Sequence, residues 1–264
     1  MHEPDTPRAP SAERPWTAYR DLVHTHPRTL RFGLNLAFYR CFAIPGIAAV
    51  LARSGAIAGD PLARAKATGL PLFRILATGF DDPGARESVE RLRRVHHGLP
   101  VGDDAFVYVL GLFCVHPLRF LDRCGPRPAT AAERDAAHTF YAALGDRLGV
   151  TGVPGSHDGL AAFTDAYEER FFRSTPEGRA LWRSARSVFA RRLPPPVAGL
   201  GPFVAECLMD PAMGALGIPR RPAPLRRATT ALLRRHLARD RPAAPGPVPA
   251  SASVSGTGGF GGSA

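Results

Sequence analysis

Apolar residues recur every three to four positions along most of this chain, a period that predicts helices rather than strands. Thr130-Ala-Ala-Glu133 has the form of a capping box, in which hydroxyl and carboxylate satisfy free amides at a helix start. Ala137, Phe140, Tyr141, Leu144 and Leu148 then follow on one face as far as Gly149, a helix stop. Ser156 caps a second such run carrying Leu160, Phe163, Tyr167 and Phe171, and Thr175-Pro176-Glu177 opens a third with proline at its first position. Over residues 84–97, Ala85, Val89, Leu92 and Val95 share an apolar stripe, and His96 falls within it. The segment AFVYVLGLFCV (105–115) has aromatic and β-branched content that also suits a strand. Its length and the preceding Asp103-Asp104 favour a buried helix, which Pro117 is expected to end. The expected fold is all-α: one multi-helix domain over residues 15–240, with residues 1–14 and 241–264 too polar or too rich in Pro, Ala, Gly and Ser to order.

Charge changes this picture less than it first suggests. The net charge is +11, yet Lys66 is the sole lysine, so the basicity is an arginine bias that accompanies abundant Ala, Gly and Pro, and no nucleic-acid partner is expected from it. The exception is local: Arg220 to Arg241 holds eight arginines against one aspartate, with Leu225, Ala228, Leu232 and Leu237 read along one side. That segment is either a terminal helix docked through its leucines or a helix that binds an anionic surface. Cys41, Cys114, Cys124 and Cys207 show no CxxC spacing and lie in or beside apolar runs, as reduced packing residues do. The start lacks an apolar signal core, and CFAIPGIAAVLA from Cys41 is too short to span a bilayer and is broken by Pro45-Gly46. A cytoplasmic protein is expected, with peripheral membrane contact left open.

Chemistry concentrates in residues 85–117. His96 points inward and needs a carbonyl, a carboxylate or a metal as partner. His116 ends an apolar segment, where an imidazole serves as a helix C-cap or as a ligand. His97 turns toward the charged side, and His24, His26, His138, His157 and His236 read as surface residues. The cysteines offer no zinc pattern, and HExxH, GxSxG and Walker motifs are absent. Two histidines with Asp103 or Asp104 remain a possible non-haem iron set.

Asn35-Leu-Ala-Phe-Tyr-Arg-Cys-Phe-Ala-Ile-Pro45, Arg91 with Val95-His96, Asp103-Asp104-Ala-Phe106-Val-Tyr108-Val-Leu110, Phe113-xxx-Pro117, Arg127-Pro-x-Thr130-xx-Glu133 and Ala166-Tyr167-Glu168 occur in this order. Together they resemble the MpaB branch of the MpaB/latex-clearing-protein (rubber oxygenase) catalytic family over roughly residues 31–175. The resemblance implies a helical core of globin-like type and O2-dependent cleavage of carbon–carbon double bonds in an apolar, isoprenoid-type substrate. It implies a b-type haem held by histidine, with an arginine near the oxygen side. Carried over, His96 is the foremost iron ligand and His116 the second candidate; Arg91 and His97 are the catalytic candidates, and Arg91, Phe106 and Tyr108 are expected around the cofactor. The chain departs from the family where His116 replaces an acidic residue, where Ala67-Thr68 stands for Asp-Thr, and where Phe120 and Pro126 replace tryptophans.

Overall fold

The computed structural model describes residues 14–190, 193 and 195–238. The expected disorder of the two ends lies almost wholly outside these residues, as does His2, also expected at the surface. Twelve α-helices and three short 3-10 turns, with no strand, make up the described residues. In chain order they are α1 (Thr17–Thr25), α2 (Pro27–Arg40), α3 (Pro45–Arg53), α4 (Ala56–Gly59), α5 (Pro61–Thr78) and α6 (Pro83–His96), followed by α7 (Asp103–Cys124), α8 (Ala131–Leu148), α9 (His157–Phe171), α10 (Pro176–Ala190), α11 (Gly201–Leu208) and α12 (Ala223–Leu237).

Local chemistry fixes many of these boundaries. Both halves of the Thr130/Glu133 capping box form, and Arg127 clamps the Glu133 carboxylate through two guanidinium nitrogens. Gly149 ends α8 in the left-handed region at φ 78°. Ser156 caps α9 through the Gly159 amide, while Asp60 and Asp82 cap α5 and α6. Pro176 begins α10 as expected.

α7 is the axis of the core. Tyr108, Leu112, Cys114, Val115, Leu118 and Leu121 on it have no solvent exposure. By length and composition it is apolar enough to cross a membrane, and 72% of its apolar window is buried within the protein. The expectation that Pro117 ends this helix is corrected, since α7 runs on to Cys124. Proline costs about 3 kcal/mol inside a helix, and burying Leu118, Phe120, Leu121 and Cys124 beyond it outweighs that cost.

Two glycines set how α7 meets its neighbours. A Cβ on Gly33 of α2 would lie 2.7 Å from Pro117 Cα, and one on Gly111 of α7 would lie 2.2 Å from the Thr164 hydroxyl of α9. α7 is thereby pressed between α2 and α9.

Other expectations need correction. Val95 is 60% exposed, so the apolar stripe of α6 ends before it. On α12 the buried leucines are Leu233 and Leu237, whereas Leu225 and Leu232 face outward. His26 and His157 are buried rather than at the surface. All four cysteines are buried and free.

Candidate functional site

Two polar groupings occupy this apolar interior. The first is fully internal. Arg40 at the end of α2 directs Nε and Nη2 onto the two oxygens of Glu168 on α9. Tyr108 of α7 donates its hydroxyl to Glu168 Oε1 at 3.2 Å, and His116 Nε2, two turns further along α7, stands 3.5 Å from the same oxygen. Each residue arrives on an apolar ladder at i, i+4 spacing: Leu36 then Arg40, Leu160 and Thr164 then Glu168, Tyr108 and Leu112 then His116. The glycine contacts at Gly33 and Gly111 bring those three faces together.

Burial alone would raise the Glu168 carboxyl. The doubly bonded Arg40 and the nearby His116 imidazole outweigh it and hold the group down to about 2. Burial opposes the charge on Arg40, and Glu168 more than restores it. Burial lowers His116, against the pull of the Glu168 carboxylate 3.5 Å away and with help from the Arg40 charge, so its imidazole is neutral near pH 7. Tyr108 also stacks on Tyr167, with centroids 4.6 Å apart.

The second grouping centres on His96, the last residue of α6. Its Nδ1 bonds the Leu92 carbonyl at 2.7 Å, which fixes Nδ1 as the protonated nitrogen and leaves Nε2 with its lone pair. Phe106 meets the ring edge-on, 5.6 Å between centroids. Burial lowers the His96 imidazole, the Leu92 bond opposes this, and the charge of Arg64 on α5 lowers it further. Arg64 is itself pushed down by burial; it donates to Thr68 and lies over the Phe38 ring at 5.7 Å. Burial pushes the Cys41 thiol up to about 12, against the charges of Arg64 and Arg40.

The remaining sequence candidates are placed elsewhere. Arg91 is exposed and pairs with Glu87 at 3.4 Å. Five residues before His96 on one helix, it is rotated by roughly 140° from it. The expectation of Arg91 beside His96 is therefore corrected, and the arginine that His96 senses is Arg64. His97 is the exposed C-cap of α6. Phe106 touches His96, but Tyr108 serves Glu168.

His96 and His116 do not converge either. Phe106, the neighbour of His96, precedes His116 by ten residues of a single helix, roughly 15 Å along its axis. Asp103 accepts from Thr151 at 3.4 Å, and Asp104 accepts from the Ala105 amide. Among the described residues no three His, Cys, Asp or Glu side chains gather into a metal-holding set, so the non-haem triad is not assembled.

Arg40, Glu168 and Arg64 went unremarked as site residues. The signal for the first two was a charge of opposite sign on each of two otherwise apolar ladders.

Comparison with known proteins gives this arrangement its context. Residues 22–239 match the family described as ER-bound oxygenase mpaB/B'/Rubber oxygenase, catalytic domain. ER-bound oxygenase mpaB' of Penicillium brevicompactum is 26% identical over 235 residues, which cover 80% of this chain and 56% of that protein. ER-bound oxygenase mpaB of Penicillium roqueforti (strain FM164) is 26% identical over 194 residues, 67% of this chain and 65% of that protein. The chain thus spans a little over half to about two thirds of the length of these two relatives. With more than three quarters of its sequence inside that match, the chain belongs to the MpaB/rubber oxygenase catalytic family.

Proposed function

We propose that this protein is an O2-dependent oxygenase acting on an apolar, isoprenoid-type substrate, with a b-type haem held through Nε2 of His96. One observation carries the reading: a neutral, half-buried imidazole whose Nδ1 is tied to a backbone carbonyl and whose Nε2 is left with a lone pair, beside an aromatic edge and a desolvated arginine.

That donor chemistry fits a haem iron, although neither of the two best-formed cavities among the described residues has room for one. They are about 20 and 10 Å³, and neither is lined by His96 or His116. A ligand of porphyrin size needs hundreds of Å³. The half-open side of the His96 ring, not an interior void, would receive the group. Bound there, a haem supplies the activation of O2 and the cleavage chemistry itself.

The side chains do the rest. The Leu92 carbonyl holds the ring's tautomer and orientation. Arg64, a fixed multi-donor cation fastened to Thr68, takes the role first expected of Arg91: it donates hydrogen bonds to an anionic or oxygen-bearing group. Phe38 and Phe106 keep the surroundings apolar, which suits an alkene. The Arg40–Glu168–Tyr108–His116 grouping anchors α2, α7 and α9 behind this wall.

Absorption spectra of protein purified from haem-supplemented cells test the assignment. The parent and His116→Ala should show an intense Soret band, and His96→Ala should lose it. O2 consumption with an apolar polyene should be lost in Arg64→Gln even where pigment is retained. A parent without pigment, or a normal spectrum in His96→Ala, would overturn the assignment.

A further inference from the structure

The smaller of the two cavities has no role in the reading above, and its lining is uneven. Phe38, Ile57, Pro61 and Val188, brought by α2, α4, α5 and α10, give it apolar walls. Tyr39 also lines it, but that hydroxyl is engaged by the Ala185 carbonyl at 3.1 Å. The remaining polar group is Asn35. It is the only asparagine of the 264 residues, and the chain has no glutamine, so this is the protein's one side-chain carboxamide. The residue is 9% exposed, and among the described residues its buried Nδ2 has no hydrogen-bond partner.

A buried amide donor without an acceptor is destabilising, so the site calls for one. The cavity, about 10 Å³, has room for a single water-sized group. Water itself is poorly suited, because a trapped water needs about two to four polar partners and finds one unengaged donor here. An oxygen carried on an apolar chain needs only that donor, since the apolar walls receive the rest. No charged side chain lines the cavity, so a carboxylate would lose its hydration without a counter-charge, whereas a hydroxyl or carbonyl loses far less.

We infer that this cavity is a subsite for the neutral oxygen terminus, hydroxyl or carbonyl, of an apolar chain, with Asn35 Nδ2 as the donor that recognises it. Phe38 connects it to the proposed reaction site: the ring that lines the cavity also carries, at 5.7 Å, the guanidinium of Arg64, whose charge His96 senses. A chain held by its oxygen at Asn35 and laid past Phe38 runs toward His96, and Asn35 thereby selects which double bond, counted from that end, is cut. This selection rests on the oxygenase reading; the binding at Asn35 does not.

The full chain, pigment-free and labelled with nitrogen-15, is titrated with octan-1-ol, 2-octanone and octanoate. The single carboxamide gives a unique side-chain amide signal, which should move with the alcohol and the ketone in step with binding measured by calorimetry. Octanoate should bind at least about tenfold more weakly. Asn35→Leu, which keeps the volume, should lower affinity for alcohol and ketone about tenfold, the worth of one hydrogen bond to a buried donor. Val188→Ile, which fills the cavity with one carbon, should weaken both while the carboxamide stays in place. Thermal melting confirms that the variants fold; where Asn35→Leu does not, the parent's amide signal and Val188→Ile decide.

An unmoved amide signal in the parent, tighter binding of octanoate, or unchanged affinity in Val188→Ile would each overturn the proposal. Alcohol binding in a protein that takes up no haem would remove the haem assignment and leave this subsite standing. A normal Soret band with an unmoved amide signal would do the reverse.

Discussion

Arg40 and Glu168 show how much one residue decides in this interior. Each is buried, and each is tolerated only because the other is present. Removing one partner strands a buried charge, at a cost of about 3–5 kcal/mol, whereas removing both together removes the desolvation cost as well. Glu168→Ala and Arg40→Ala are therefore each expected to lower unfolding free energy by that amount in denaturant titration. An Arg40→Met/Glu168→Leu double variant should lose less than either single variant. A double loss equal to the sum of the single losses would show that the two charges act independently, contrary to the geometry. Tyr108 and His116 feel the same change, because the carboxylate that Arg40 holds in place accepts from Tyr108 and stands 3.5 Å from His116.

At the scale of the element, the sequence spoke clearly wherever a boundary has its own chemistry. The capping box at Thr130, the Ser156 cap and Pro176 predicted α8, α9 and α10, because an N-cap satisfies its amides within four residues. Pro117 misled for the same reason: local chemistry says stop, and only the burial of residues 118–124, contributed by distant helices, says continue. The site was legible by halves. His96 and Phe106 followed from periodicity, whereas Arg64 and the His116–Glu168 contact join residues separated by 32 and 52 positions, a pairing no spacing rule reports. Glycine at the α2–α7 crossing belongs to this class. Gly33→Ala would drive its Cβ to 2.7 Å from Pro117 Cα and 3.0 Å from Phe120 Cβ, so α2 and α7 must move apart. Overpacking of this kind costs about 1–3 kcal/mol. Gly46, with nothing within 4 Å of its Cβ position, provides the contrast: Gly46→Ala is expected to be neutral or to stabilise α3 by up to about 1 kcal/mol. A Gly33→Ala melt as high as that of Gly46→Ala would mean that the close crossing is not a constraint.

For the molecule as a whole, three histidines make stability depend on acidity. His96, His116 and His157 come from different helices, and burial lowers all three from the ordinary 6.5. A depressed folded value means that the unfolded chain takes up the proton more readily, so protonation favours unfolding. The stability these groups contribute is complete above pH 6.5 and is lost as pH falls from there toward their folded values. Each histidine contributes a slope of at most about 1.4 kcal/mol per pH unit in that window. Glu168, held down to about 2 against an ordinary 4.5, adds a further loss only below pH 4.5. Unfolding free energy should therefore be level between pH 8 and pH 7 and decline between about 6.5 and 5, where carboxylates are still ionised. His116→Gln removes one titrating group from the core and should flatten that decline, while the slope owed to His96 and His157 persists. If haem iron binds Nε2 of His96, proton and metal compete for one lone pair, so the folded loaded protein takes up no proton there while the unfolded chain does, and the His96 share of the slope should persist to lower pH than in pigment-free protein. A stability that is flat from pH 7 to pH 5 in the parent would mean that these imidazoles are protonated as readily in the fold as in water, and a core placement of His116 would then be untenable.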